Sequence, residues 1–540
     1  MSPLLKRLLR NPAFLVGFAA FLAALLVQSG ELGSIDTVRR LQTTHSFWTS
    51  APPVAPDDYP DFGVPGRNGR IYAWYGIGQS LLMLPADIVG TYLADTEWFK
   101  SFSERDPGIR EIVVSYSTNI LLCVLAVLVC LRFLRLLEFT NPQAMAGAFT
   151  LLFGTTFLHY TQNMMENNFL MLFTLTALCF QYDWLRTGRI RPLLLGCLAA
   201  GANLLTRLTA GLDISAVFLF LVLTLWFENV RGRPLVARLR SWALVAAPCY
   251  AGFLFLDRLY QFYRFGSFFT TYLTLFAAQQ RKLDPGLPPD FPWSTPLGQG
   301  LLGPLVTPEK SIFLFDPLLI LTFLLSLLIW KRFGPAIKAY LLAGLWLLAA
   351  YIFFYAKYVV WSGDFAWGDR YVTTPVELLA MISVPLLLRH RAAFGRIFWK
   401  LGLGIVFLSV AVQLASVVFW HPLEIHQMDT LGHPTFVVGL RFKNIAAVAL
   451  GKADQWGLRN DATREVCGMH ADTPYFLPFL LKKDASVSPA LAAALIAAWL
   501  AVLAALLALL VFIWRKACRG NFDFDNDNCY ASVDRIRGVS

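Results

Sequence analysis

The chain has 540 residues, 56% of them apolar and only 15% charged, with a mean hydropathy of +0.54. A soluble chain of this length breaks into several cores divided by polar surface; here uncharged apolar runs, each close to the ~20 residues a bilayer requires, recur along almost the whole length. The net charge of +11 does not describe a nucleic-acid-binding protein, because no basic stripe with interleaved aromatics runs through it.

Lys6, Arg7 and Arg10 precede an apolar run over 12–29. That run is long for a signal-peptide core and no small-residue cleavage site follows it, so it reads as an uncleaved first span. Further spans are predicted at 111–131, 143–162, 168–185, 192–206, 212–228, 241–263, 311–330, 339–361, 371–388, 401–420 and 489–514. The stretch 192–228 is too long for one span at ~1.5 Å per residue. Arg207 and Asp213 interrupt it, so a hairpin turning near 207–211 is expected.

Positive charge orients the set. With the N-terminus inside, the seven inner segments hold 22 Lys and Arg side chains, from Lys6, Arg7 and Arg10 through Arg389, Arg391, Arg396 and Lys400 to Arg515, Lys516 and Arg519. Every inner segment then obeys the same orientation. The expectation is an all-α integral membrane protein of about 12 transmembrane helices, multi-pass in the cell (inner) membrane, with both termini cytoplasmic. The long loops 30–110, 264–310 and 421–488 fall on the outer, periplasmic face, leaving 1–420 as the transmembrane core, 489–514 as the last span and 515–540 as a cytoplasmic tail. The tail (NFDFDNDN) has the composition of a disordered segment. Two mildly amphipathic pieces of the first loop, near 34–48 and 78–94, are expected along the membrane surface. Cys123, Cys130, Cys179, Cys197 and Cys249 lie in apolar runs, Cys467 stands alone in an outer loop, and Cys518 and Cys529 are in the tail. No disulfide framework or CxxC metal pair exists.

The candidate chemistry gathers on the outer face. Asp36 follows the first span in SGELGSIDTVRRLQ, at the depth of a lipid headgroup; its plainer reading is a solvated loop acid or a helix N-cap. Glu166 lies in the short outer turn YTQNMMENNF and faces the same side; the plainer reading is a satisfied turn residue. Paired acids on one face suit general-base work with substrate or metal positioning. In WSGDFAWGDRY, Arg370 offers a planar fork suited to phosphate, and Trp361 and Trp367 could stack on sugar or prenyl, although Trp also marks interfaces. Arg207, Asp213, Arg258, Asp316 and Glu377 lie within or at the ends of spans, where ionisable groups are costly and default to functional or paired roles. Asp257, Arg258 and Arg264 approach the outer end of a span as a phosphate site or an internal pair. His421, His426, His433 and His470 share the last outer loop without a spacing that fits a metal pattern.

These segments resemble, in order and sidedness, the GT-C superfamily of membrane glycosyltransferases, near the protein O-mannosyltransferase and lipid A aminoarabinose transferase branch. The resemblance runs through most of 12–400. It is carried by Asp36 after the first span, by YGIGQSLLMLP with Tyr75 (and Tyr72 before it), by Glu166, by the turn GANLLTRLTA with Arg207, and by WGDRY. A lone Asp stands where many members show an Asp-Glu pair, Glu166 stands where an Asp is common, and 421–488 matches no part of the family.

The resemblance implies transfer of a sugar from a polyprenyl-phosphate-linked donor to a glycan, lipid or protein acceptor, by inverting displacement at the anomeric carbon. Asp36 would be the general base and Glu166 its catalytic partner. Arg370, Arg258, Arg264 and Arg207 would bind the donor phosphate, and Trp361, Trp367, Tyr72 and Tyr75 would contact sugar or lipid. No cofactor is required, with a divalent metal as an option. The rival expectations are a polysaccharide polymerase or ligase, and a secondary transporter of twelve spans; the latter commonly shows related halves around a central site, and no such repeat is visible in this sequence.

Overall fold

The computed structural model describes residues 7–56, 63–103, 105 and 107–518. Lys6 and the tail 519–540, with Arg519 and Cys529, lie outside the described residues. Among the described residues the protein is all-α apart from one short antiparallel ladder, in which Val64 pairs with Tyr72 and Pro65 with Ile71.

Six helices are long and apolar enough to cross a membrane: Ile109–Leu136, Leu208–Phe227, Arg233–Phe265, Pro335–Tyr355, Arg396–Ser416 and Pro489–Cys518. The other predicted spans are shorter, broken or more polar. Pro12–Val27 and Ile190–Leu204 have 16 and 15 residues. The run 143–162 divides into Asn141–Gly154 and Phe157–Gln162, because Thr155 turns extended (φ −133°, ψ 166°). In 311–330 the long helix begins only at Leu318, after Asp316 is pushed out of the helical region by the Pro317 ring that follows it. The run 371–388 breaks at Ile382 into Thr373–Met381 and Ser383–Arg389. A hydropathy window registers apolarity and passes over such breaks. The turn expected in 192–228 is present, as Leu205–Ala210 separates Ile190–Leu204 from Gly211–Phe227.

The most exposed long helix, Arg233–Phe265, has 33 residues and extends about 50 Å. It turns Leu244, Leu254, Phe255 and Leu256 outward. Pro489–Cys518 likewise exposes Leu500, Leu507 and Phe512. Outward apolar side chains on such lengths belong to a protein surrounded by lipid. At the centre, Asn167–Thr187 is buried along most of its length and satisfies its polar neighbours internally: Asn168 donates to the Phe157 carbonyl at 3.1 Å, and Asn203 to the Leu170 carbonyl at 3.1 Å.

Both amphipathic pieces of the first loop are helices, Ile35–His45 and Gly78–Ala94. Ser34 caps the first by accepting the Thr37 N–H at 3.3 Å. The two are tied through Asp87, which is fully buried and receives Trp48 Nε1 at 2.7 Å and Arg110 Nε at 2.6 Å, with His45 Nδ1 at 3.1 Å. This knot holds the far end of the helix that carries Asp36.

The segment 421–488 is folded rather than a simple loop. Helices Pro422–Leu431, Val437–Ala449, Asp461–Cys467 and Leu477–Lys483 enclose small apolar clusters. A fully buried pair holds them: Arg441 meets Glu424 in two parallel bonds of 2.7 and 2.6 Å and donates to the carbonyls of Ser416 and Phe419 at 2.8 and 2.9 Å. His470 Nε2 and the Tyr475 hydroxyl reach Glu31 at 2.7 and 2.8 Å, which fastens this unit to the end of the first helix.

Candidate active site

Four residues apart on one helix, Asp36 and Arg40 share a face. Each oxygen of Asp36 is engaged: Oδ2 accepts from Arg370 Nη1 at 2.8 Å and Oδ1 from the Tyr75 hydroxyl at 2.6 Å. Glu166 immediately precedes Asn167–Thr187 and lies between two further guanidiniums, Arg40 Nη2 at 2.6 Å from Oε2 and Arg207 against Oε1. Aromatic faces fix these cations: Arg40 lies 4.2 Å from the Tyr75 ring, and Arg207 and Arg370 lie 5.1 and 5.4 Å from Tyr371, which stacks on Tyr355 at 4.0 Å. The cluster thus draws on the 30–110 segment, the 160–169 turn, the 205–210 turn and the 361–371 segment.

Its electrostatics follow from burial among cations. Burial pushes the Asp36 carboxyl up, but Arg370 and then Arg40 outweigh it and hold it below the usual range. Glu166 loses more solvent, yet Arg40, Arg207 and Arg370 together hold it far below an ordinary glutamate. Burial, reinforced by the charge of Asp36, keeps the Tyr75 phenol protonated well above its ordinary value. Both acids are therefore anions at neutral pH, and Tyr75 is a donor. Asp369, beside Arg370 in sequence, behaves differently: burial raises its carboxyl to about 7 against a backbone bond from Tyr371 N–H.

Several side chains hold the 361–371 segment in place. The buried Lys310 ammonium donates to the carbonyls of Asp364, Ala366 and Gly368 at 2.6, 2.8 and 3.3 Å. Asn167 Nδ2 donates to the Arg370 carbonyl at 2.7 Å. Gly363 has φ +76°, and a Cβ there would come within 2.4 Å of Arg370 Cγ, so the turn and the approach both require glycine.

The structure brings Asp36, Glu166, Arg207, Arg370 and Tyr75 together and separates the other candidates. Trp367 is fully buried between Phe315, His159 and His421, with ring centroids at 5.0, 5.6 and 5.9 Å, and has no face left for a sugar. Trp361 is also buried, against Gly303, because helix Leu297–Val306 packs over it. Tyr72 belongs to the β ladder and packs edge-on against Tyr263 and Phe265. Arg258 pairs with its neighbour Asp257 at 2.9 Å, the internal pair rather than the phosphate site. Arg264 is fully buried and donates to the carbonyls of Ala73 and Tyr75, so it props the turn that presents Tyr75. Inside the bundle, Asp213 is satisfied by the Tyr351 and Thr174 hydroxyls at 2.6 and 3.1 Å, and Asp316 and Glu377 meet at Thr156.

A divalent metal does not fit this donor set. Every oxygen of Asp36 and Glu166 already lies against a guanidinium or phenol. Among the described residues no group of three or more His, Cys, Asp or Glu converges. The four histidines of 421–488 are dispersed: His421 sits against Trp367, His426 stacks on Trp420, His433 meets the Gly457 carbonyl and His470 meets Glu31.

Sequence reasoning passed over Arg40, Lys310 and Tyr371. Arg40 had a signal, its i+4 relation to Asp36 on an amphipathic helix. Lys310 had none beyond an isolated cation before an apolar run. Compared with protein-family models, curated proteins and solved structures, the chain matches none of them. Chemically, the cluster sets ionised carboxylates, which can accept a proton, beside guanidiniums, which can stabilise a phosphate.

Proposed function

We propose that this protein is a membrane glycosyltransferase of the GT-C type, with about twelve spans, whose pocket opens at the outer, periplasmic face of a cell membrane. It moves a sugar from a polyprenyl-phosphate-linked donor to a hydroxyl of a glycan, lipid or protein acceptor. The observation that carries this reading is the convergence of Asp36, Tyr75, Glu166, Arg207 and Arg370 in one side-chain cluster. All five were drawn from separate segments of the GT-C-like pattern.

In this reading the acceptor oxygen attacks the anomeric carbon while its proton passes to Asp36. The new C–O bond forms as the anomeric C–O bond to phosphate breaks, and the bond's electrons leave on the lipid phosphate. A positioned base contributes about 10²–10⁴-fold. Arg370 offsets the charge that grows on the phosphate, and since phosphate leaves readily no general acid is needed. Tyr75 holds the carboxylate's second oxygen and orients the first. Glu166 keeps Arg40 and Arg207 in position.

Native mass spectrometry of protein purified from its membrane tests the donor class. The expected result is a retained prenyl phosphate or prenyl-phosphate sugar, lost in Arg370→Met. Bulk phospholipid alone, on parent and variant alike, would overturn the reading.

A further inference from the structure

As a base, Asp36 is masked. Arg370 occupies one oxygen and Tyr75 the other, and the pair with Arg370 is only 14–15% exposed. Each oxygen keeps a second lone pair, but the ion pair with Arg370 spends the carboxylate's charge and lowers its basicity toward an acceptor hydroxyl. The guanidiniums beside it show the opposite condition. Arg40 Nη1 and Arg370 Nε are buried and have no hydrogen-bond partner, although Arg40 as a whole is 4% exposed. Buried N–H groups without acceptors are unfavourable and call for an explanation; Arg264 Nε and Nη2 share the condition, but Arg40 and Arg370 both lie beside the Asp36 carboxylate. Arg207, by contrast, has no such orphan group and is committed to Glu166.

We propose that Arg40 and Arg370 together grip the donor phosphate, and that this phosphate displaces Asp36 from Arg370, so the base is released only when donor is bound. The inference rests on the glycosyltransferase reading and adds a residue and an order of events to it. A sugar-phosphate-prenyl diester carries one negative charge, like the carboxylate it replaces on Arg370. It gains acceptors for both orphan N–H groups, which Asp36 does not satisfy. Once the anomeric C–O bond breaks, the phosphate becomes a monoester with a second negative charge, which Arg40 and Arg370 together offset. Arg40 can serve without moving far, because one edge stays on Glu166 and its plane is fixed over the Tyr75 ring at 4.2 Å. Asp36 keeps the Tyr75 bond and presents its freed oxygen to the acceptor.

The test uses farnesyl phosphate, which carries the prenyl and phosphate groups but no sugar, titrated against the full chain in detergent. Because Asp36 competes for Arg370, Asp36→Asn should bind the probe more tightly than the parent, by roughly threefold or more, or about 0.65 kcal/mol. That gain should vanish in Asp36→Asn/Arg370→Met. Arg40→Met should bind roughly tenfold more weakly, and Arg40→Lys, which preserves the charge beside Glu166, should also fall short of the parent. The Asp36→Asn arm needs no change at Arg40, so it decides the matter even if Arg40→Met does not fold. Binding to the parent with no gain in Asp36→Asn, or with full affinity in Arg40→Lys, overturns this inference and leaves the glycosyltransferase reading standing. A parent that does not bind the probe overturns both.

Discussion

Arg370 donates to Asp36 at 2.8 Å across 334 residues of sequence, joining the helix Ile35–His45 to the 361–371 segment. The contact places a fork suited to phosphate against an ionised carboxylate, beneath the ring of Tyr371. Each partner is braced from elsewhere, Asp36 by Tyr75 and Arg370 by the Lys310 and Asn167 bonds to its segment. Such bracing is what a reaction geometry requires and a surface ion pair does not.

Asp36→Asn preserves shape and the Tyr75 bond but cannot take a proton. Turnover should fall by at least the roughly 10²-fold that a positioned base supplies, measured below the variant's melting temperature, which loss of the Arg370 counter-charge lowers. Near-normal transfer by this variant would remove Asp36 from the chemistry and make Glu166 the next residue to examine.

Glu166 is the anion between Arg40 and Arg207, with its side chain 5% exposed. Glu166→Gln leaves two buried guanidiniums without a counter-charge, a change that typically destabilises by about 3–5 kcal/mol. The double variant Glu166→Gln/Arg40→Met should recover part of that loss in a thermal unfolding measurement. Additive losses would show that the two side chains do not act as a pair.

Asp369 supplies a pH dependence with a definite sign. Its folded carboxyl, raised to about 7 by burial, binds a proton that the unfolded chain, at 3.8, has already released. The stability its neutral form provides is complete below pH 3.8 and is lost as pH rises through about 7. Over that window the parent should lose more melting temperature than Asp369→Asn. Equal slopes for the two proteins would mean that Asp369 titrates normally.

Topology is open to direct labelling. Ser50 and Ser486 are exposed and Ser294 is partly so. Replaced singly by cysteine, all three should react with a membrane-impermeant thiol reagent added from the outer side. Protection of one while the other two react would break the assignment of 30–110, 264–310 and 421–488 to one face.

Much of the local architecture was legible in the chain. The apolar runs marked the membrane class, the interruption at Arg207 and Asp213 marked a turn, and the first-loop amphipathic pieces became Ile35–His45 and Gly78–Ala94. These follow from composition and short-range periodicity, which act within a few turns of backbone. The helix breaks at Thr155, Asp316 and Ile382 escaped the hydropathy pattern because apolar side chains occur on both sides of each.

Within the site, the sequence alone determined which carboxylates and guanidiniums stand near the ends of apolar runs, where burying a charge demands a partner or a task. Which of them meet was decided by the tertiary structure. Arg258 and Arg370 look alike in sequence, each a cation beside an acid at a span end, yet Arg258 closes on its neighbour Asp257 while Arg370 reaches across the molecule to Asp36. Trp361 and Trp367 look equally available, yet Leu297–Val306 covers one and Phe315, His159 and His421 enclose the other. Side-chain identity and periodicity determine what a residue can do and which way its element faces. Partners hundreds of residues away depend on the path of the whole chain through the bundle, and no local pattern encodes that path.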